Sequence, residues 1–384
     1  MKIAIYYPWL YLTSGVERTI LEIIKRSNHS YTIFTNHYDK NHTYPNFKNI
    51  KVVQLRRIPV ERDIFSVVKA AATIAFQKIN LSGYDVLFVH SDGLGDLVLT
   101  RNRRVPVVCF CHTPLRPVFD KYYRKWVLKR YKGLDRIFYD FYSEAFKKID
   151  KKLWRNYQYV FFNSNETFSR AKNGGLLEDF KGKCEILHPG IDWRDIKPTG
   201  IYNHYFLNTG RIMWTKNIEL SIFSFIKFKE KFKDLDEFSL VIAGQVDKKS
   251  KSYLKKLKEI VGKRRDIRFI ISPSEEILKK LYSECWATIS TSFNEDWGLT
   301  LLEGNAYGKP ALAVNRGGPR ESQINGKTGF LVRPTVEEFV KKISKLAGDE
   351  SMVLKLGRNA YKNVKKYDID KFVNRIDEVL KIFA

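Results

Sequence analysis

Short runs of β-branched and aromatic residues recur along the 384-residue chain, and longer segments with apolar residues every three or four positions lie between them. In the first half the runs predict strands at residues 3–7, 31–34, 52–54, 86–90, 105–110, 159–162 and 186–188. In the second half they predict strands at 205–209, 239–243, 267–271, 287–290, 311–314 and 330–332. Helical periods occupy segments such as 17–24, 218–228, 251–261 and 336–346. Near-continuous apolar strands alternating with helices indicate parallel sheets covered on both faces. The series restarts after the polar stretch 193–200, which is the expected linker. The expected architecture is therefore two doubly wound α/β domains facing each other across a cleft.

One segment breaks the rhythm. Between Lys121 and Tyr157 the chain is dense in Lys, Arg, Tyr, Trp and Phe, with nothing resembling a strand. It reads either as a pair of helices with aromatics packed inward and lysines solvated, or as a basic amphipathic surface. Such a surface, bounded by Lys121 and Arg155, would rest on anionic lipid or a phosphorylated acceptor. The whole chain carries 68 Lys+Arg against 42 Asp+Glu, a formal charge of +26, which favours polyanionic or phosphorylated partners. A hydrophobic fraction of 44% excludes a disordered or low-complexity chain.

Four cysteines in a chain this long make no disulfide framework, and none stands with histidines at zinc spacing. Cys109 and Cys111, two apart, would point to one face of a strand. A reduced, cytosolic setting is the expectation. Pro8 interrupts the short apolar N-terminal run, no cleavage site follows, and no stretch nears the ~20 apolar residues of a membrane span. Attachment to the outside of a membrane stays open.

Four stretches carry candidate chemistry. The run from Asn294 to Pro310 follows an apolar strand, and Gly308 with Pro310 marks the end of a helix of roughly ten residues. Gly298 then stands at the helix start, where the amides around Trp297, Leu299 and Thr300 can meet an anion. Glu295 lies in the loop at the strand's carboxyl end, where open α/β sheets bind ligands, and Glu303 one turn into the helix. In a second stretch, Arg211 and Lys216 flank a strand-to-helix loop, a natural clamp for a diphosphate. Read by composition alone they would be solvated cations. Ser14 and Glu17 have the spacing of a capping box, and Gly15 lets the backbone approach a ligand. His112 follows a strand, between Cys111 and a Pro-containing turn, and either faces the cleft or is bonded to backbone. Asp234 and Asp236 match an Asp-x-Asp metal pattern but precede a strand, at the amino edge of its sheet, and read as surface.

Together these stretches resemble the GT-B retaining glycosyltransferases, the large family that includes bacterial and archaeal α-mannosyltransferases and sucrose synthase-like enzymes. Glu295 and Glu303 match its Glu-x(7)-Glu signature, and Gly210-Arg211 with Lys216 its diphosphate motif. The run Gly317-Gly318-Pro319-Arg320-Glu321 through Gly329-Phe330-Leu331-Val332 and the stretch His188-Pro189-Gly190-Ile191-Asp192 match further motifs. Many relatives carry Gly-Gly before the first helix, where this chain has Ser14-Gly15. The resemblance implies two Rossmann-like domains: an acceptor-side domain over 1–195 and a donor-binding domain over 196–384, whose last helix is a candidate to cross back.

It also implies roles. Arg211 and Lys216 would neutralise the leaving diphosphate, and Glu303 would bind the ribose hydroxyls. Glu295, with the amides of Trp297, Gly298 and Leu299 and with Thr300 nearby, would hold the donor sugar. His112 would line the reaction centre, and Gly15 would touch the phosphates or the acceptor. The expected reaction is metal-free, retaining transfer of a hexose from a nucleotide sugar to a glycan or lipid-linked acceptor. GDP-mannose is the first donor candidate, because residues 111–117 resemble the mannosyltransferase branch. The expected location is cytoplasmic, peripheral to the membrane. The alternatives are a nucleotide-sugar epimerase of the same fold and a basic nucleic-acid-binding protein, though no nucleic-acid module is visible.

Overall fold

A parallel strand with helices on both sides has no polar face to show, and β1 (Lys2–Tyr6) illustrates this with four consecutive buried residues. The computed structural model describes residues 1–61 and 63–383; the Arg130 side chain lies outside the described set. The chain divides into one unit of Met1–Pro189 with Ile369–Ala384 and a second of Gly190–Asp368. The stretch 193–200, expected as the linker, lies inside the second unit.

The first unit is built on seven strands in the order β5-β3-β1-β6-β7-β8-β9, every neighbouring pair parallel. They are β1, β3 (Ser30–Thr35), β5 (Val52–Gln54), β6 (Val86–Ser91), β7 (Val107–Cys111), β8 (Tyr159–Phe162) and β9 (Lys183–Ile186). A two-residue parallel pair, β2 (Trp9–Leu10) with β4 (His37–Tyr38), stands apart. The helices are α1 (Gly15–Arg26), α2 (Ile64–Phe76), α3 (Arg116–Phe119), α4 (Lys121–Arg130), α5 (Gly133–Trp154) and α6 (Asn165–Asn173).

The period of two along each strand sorts side chains between two cores. Ala4, Leu87, Val89, Cys109, Cys111 and Phe162 pack under Ile74 of α2 and Phe146 and Trp154 of α5. Ile3, Ile5, Phe88, Phe110 and Phe161 pack under Ile20 and Ile23 of α1 and under Phe372, Val373 and Ile376 from the far end of the chain.

The second unit holds six parallel strands in the order β12-β11-β10-β13-β14-β15. They are β10 (Tyr205–Thr209), β11 (Ser239–Gly244), β12 (Ile267–Ile271), β13 (Ala287–Ser290), β14 (Ala311–Val314) and β15 (Gly329–Val332). Its helices are α7 (Ile218–Lys231), α8 (Lys251–Val261), α9 (Glu275–Glu284), α10 (Leu299–Ala306), α11 (Pro319–Ser322), α12 (Val336–Ala347) and α13 (Glu350–Val364). The last helix, α14 (Ile369–Lys381), is the element that contributes Phe372 and its neighbours to the first unit.

Two strands begin elsewhere than the apolar pattern predicts. The strand expected at 186–188 is β9, which ends at Ile186 and starts at exposed Lys183. It is an edge strand paired on one side only, so its pattern is mostly polar. The strand expected from 105 starts at Val107, because Pro106 has no amide for the ladder. Cys109 and Cys111 do share one face, and all four cysteines are free thiols. Among the described residues no helix is long and apolar enough to cross a membrane.

In both sheets the chain winds outward from a central strand, first one way and then the other. The switch falls between β1 and β6 in the first unit and between β10 and β13 in the second. Loops leaving the carboxyl ends of such a strand pair diverge and leave a crevice, the usual ligand position in this architecture.

Candidate functional site

In the second unit the loops after β10 and β13 are the ones that carry the charged motifs. Gly210 follows β10 with φ 124, a conformation that a side chain resists. A Cβ there would lie 3.6 Å from Lys216 Cε and 3.9 Å from Thr300 Cγ2, so the backbone approaches both residues closely. Arg211 comes next and is half-buried. Lys216 closes a single 3₁₀ turn, Trp214–Lys216, before α7.

Lys216 Nζ donates to Glu295 Oε2 at 2.6 Å, across 79 residues of sequence. Ser292 Oγ donates to the same oxygen at 2.7 Å. The two loops are stitched further along their backbones: the Phe293 amide reaches the Thr215 carbonyl at 3.1 Å, and Thr291 Oγ1 the Lys216 carbonyl at 3.1 Å. Both charged side chains remain about one-fifth exposed, so the pair is anchored yet open to a ligand.

Gly298 caps α10 with φ 91 and supplies no side-chain cap, which leaves the helix start to the loop and to whatever anion approaches. The helix runs Leu299–Ala306 and presses onto β13 at Gly304, where a Cβ would meet Thr288 Cγ2 at 2.4 Å. Glu303 Oε2 accepts from the Tyr282 hydroxyl at 2.7 Å, and that hydroxyl lies 2.7 Å from Thr209 Oγ1 at the end of β10. The Trp297 indole packs in the core against Tyr367 and is 3% exposed, so only its backbone can serve a ligand. Behind the loop, the Gly318 amide donates to the Glu295 carbonyl at 2.8 Å.

Expected site residues thus fall into two sets. Gly210, Lys216, Glu295, Gly298, Thr300 and Glu303 join through the contacts above, with Arg211 in the same loop. Gly15 and His112 belong to the first unit. Asp236 pairs with Lys229 at 2.8 Å, in the turn before β11. Among the described residues no group of three His, Cys, Asp or Glu side chains is placed to hold a metal.

At the start of α1 the capping box does not form. Ser14 takes no helix amide; its hydroxyl donates to the Glu17 carboxylate, which also accepts from the Leu12 amide at 3.3 Å. Glu17 is therefore committed to holding the loop before Gly15.

His112 sits at the end of β7 beside the switch. Its amide donates to the Ser91 carbonyl at 2.8 Å, and its carbonyl accepts from Asn163 Nδ2 at 2.8 Å. Its Nε2 lies 3.0 Å from Nδ1 of His90, a residue fully buried at the end of β6. Burial drives the His112 pKa down to about 3 and that of His90 well below its ordinary value, the latter aided by repulsion from His112. Both rings are neutral at physiological pH, so His112 can act as a hydrogen-bonding group and not as a cation.

His90, Tyr282 and Ser292 escaped the sequence reading. Tyr282 lies in an ordinary amphipathic helix and His90 in an apolar strand, with no local pattern to distinguish either. Ser292 sits three residues before Glu295 in a loop already singled out, and its position was the one available signal.

The family model for Glycosyl transferases group 1 matches residues 192–363, and that for Glycosyltransferase Family 4 matches residues 13–193. The chain belongs to the group 1 glycosyltransferases. The junction between the two matches falls close to the unit boundary at Pro189 and Gly190. This glycosyltransferase is similar to the alpha-1,3/1,6-mannosyltransferase ALG2 of Dictyostelium discoideum, with 26% identity over 99% of this chain and 98% of the relative. ALG2 of Mus musculus is 24% identical over 94% and 92% of the two chains. Among solved structures, HepE of Anabaena in complex with UDP and glucose superimposes with a TM-score of 0.75 at 16% identity, covering 99% of each chain. Sucrose-phosphate synthase from Thermosynechococcus elongatus gives a TM-score of 0.76 at 16% identity, over 99% of this chain and 98% of the other. These structures share the GT-B fold of two Rossmann-like parallel-sheet domains, and the present chain has it too. The protein is a glycosyltransferase.

Proposed function

We propose that this glycosyltransferase moves mannose from GDP-mannose to a lipid-linked or glycan acceptor with retention of configuration. The observation that carries the reading is the Lys216–Glu295 pair, set at the β10–β13 switch beside Arg211 and the start of α10. The choice of mannose follows the ALG2 relatives, and the nucleotide-sugar donor is in keeping with HepE, crystallised with UDP and glucose.

Breaking a sugar–phosphate bond requires stabilisation of the negative charge that gathers on the departing diphosphate. Arg211, Lys216 and the amides at the start of α10 supply positive charge without a bound metal ion. Lys216 is held by Glu295 before any donor arrives, so little ordering is left for the moment of reaction. Glu295 would hold the hexose hydroxyls, and Glu303, positioned by Tyr282, the ribose hydroxyls. From the first unit, the neutral His112 ring would contact the sugar, and Gly15 would meet phosphate or acceptor. The acceptor would attack from the face the diphosphate leaves. The donor-binding domain corresponds to the second unit and the acceptor side to the first. We place the protein at the cytoplasmic face of a membrane, resting on anionic lipid through the segment between Lys121 and Arg155.

The test is diphosphate release and sugar transfer across a panel of nucleotide sugars, using Arg211→Ala, Lys216→Ala and Glu295→Ala. Each substitution is expected to cost about 10²–10³-fold in turnover. Undiminished transfer in all three variants rejects the site. Conversion of the donor sugar with no acceptor present would favour an epimerase.

A further inference from the structure

Helix α5 shows two apolar faces where a surface helix normally has one. Tyr139, Ser143, Phe146, Asp150 and Leu153, spaced at three and four, are buried against the first unit. On the opposite face Leu134, Ile137, Phe138 and Phe141 recur at the same spacing, and they are 76%, 65%, 64% and 73% exposed. Four large apolar side chains this exposed, contiguous on one helix, are not needed by the fold.

The charges around this stripe say what covers it. Further along the same outer face stand Lys148 and Lys152, both exposed. On the preceding helix α4, Lys121, Lys125 and Lys129 are exposed and four residues apart, so they share one side. From 121 to 155 twelve Lys and Arg face four Asp and Glu, a net +8. An apolar stripe continued by lysines along the same helix face, within a segment of net positive charge, suits a bilayer interface with anionic headgroups, where the stripe enters the acyl boundary and the ammonium groups stay at phosphate level.

We infer that α5 lies in the plane of an anionic membrane and inserts Leu134, Ile137, Phe138 and Phe141 into it. This deepens the membrane reading above, because it assigns the attachment to apolar insertion as well as to charge, and it does not depend on the transfer chemistry.

The experiment is flotation of the full chain with vesicles of phosphatidylcholine alone or mixed with phosphatidylglycerol. It is run at about 0.1 M and about 1 M salt, where the screening length falls from about 10 Å to about 3 Å. Wild type is expected to float with the mixed vesicles at both salts. Phe138→Ser/Phe141→Ser, at exposed positions, is expected to lose about tenfold or more of the high-salt fraction while keeping low-salt binding. Lys121→Ala/Lys125→Ala/Lys129→Ala is expected to lose the preference for anionic vesicles. If the double serine variant floats like wild type at high salt, insertion is overturned and the electrostatic reading stands. If wild type floats with neither vesicle, both are overturned. A concentration-dependent dimer that the serine variant dissolves, with no flotation, would assign the stripe to a second copy of the chain and overturn the inference.

Discussion

Gly317→Ala tests the geometry behind Glu295 because the structure contains its own control. Gly317 has φ 62 and Gly326 has φ 74, so alanine at either position carries a similar left-handed backbone cost of roughly 1–2 kcal/mol. Around Gly326 no atom lies within 4 Å of an added Cβ. At Gly317 the added Cβ would stand 2.1 Å from the Glu295 carbonyl oxygen and 2.8 Å from Asn294 Oδ1. An ordinary contact begins near 3.4 Å, so the peptide of Glu295 must retreat by more than an ångström. A displacement of ~1 Å at a positioned group costs on the order of 10²-fold in rate. Gly326→Ala is therefore expected to melt a few degrees below wild type, at about 2–4 °C per kcal/mol for units of this size, and Gly317→Ala further below it, because displacing the Glu295 peptide adds about 1–3 kcal/mol. Only Gly317→Ala should lose about 10²-fold in diphosphate release. Thermal melts and donor turnover measured on the same preparations decide the matter. Wild-type turnover in Gly317→Ala, or an equal loss in Gly326→Ala, refutes the argument that this glycine seats the Glu295 loop.

Three further outcomes follow from the packing. His90 and His112 stay neutral when folded but bind protons below about pH 6.5 when unfolded, so stability is full above that pH and falls progressively toward about pH 3. The His112 ring should withdraw about 2 kcal/mol between pH 7 and pH 5 in urea titrations, with His90 acting in the same direction, and a His90→Phe/His112→Phe variant showing the same drop would contradict this. Tyr282→Phe deletes the hydroxyl that holds Glu303 and should raise the donor KM with little change in kcat, at a stability cost of about 1–2 kcal/mol; an unchanged KM removes Tyr282 from the site. Gly304→Ala forces α10 off Thr288 and should cost about 1–3 kcal/mol by chemical denaturation, with wild-type stability counting against the close packing described.

Local pattern alone determined most of the strands and the nature of the two key loops. Parallel strands buried on both faces write themselves as apolar runs, and glycines at 210, 298 and 308 mark loop and helix ends because backbone conformation is a local property. Arg211, Lys216 and Glu295 were therefore legible as groups at the carboxyl ends of strands, and Glu303 as a group one turn into the helix that follows. The sequence also failed locally where partner groups compete: Ser14 and Glu17 have capping spacing, yet the carboxylate is drawn to the serine hydroxyl and the Leu12 amide. Only tertiary structure decided that Lys216 meets Glu295 across 79 residues, that Tyr282 of α9 holds Glu303, and that His90 faces His112 from the adjoining strand. Those pairings depend on strand order and register, which are set by the packing of whole sheets. No window of neighbouring residues contains that information, and the same holds for which face of α5 turns inward and which is left exposed.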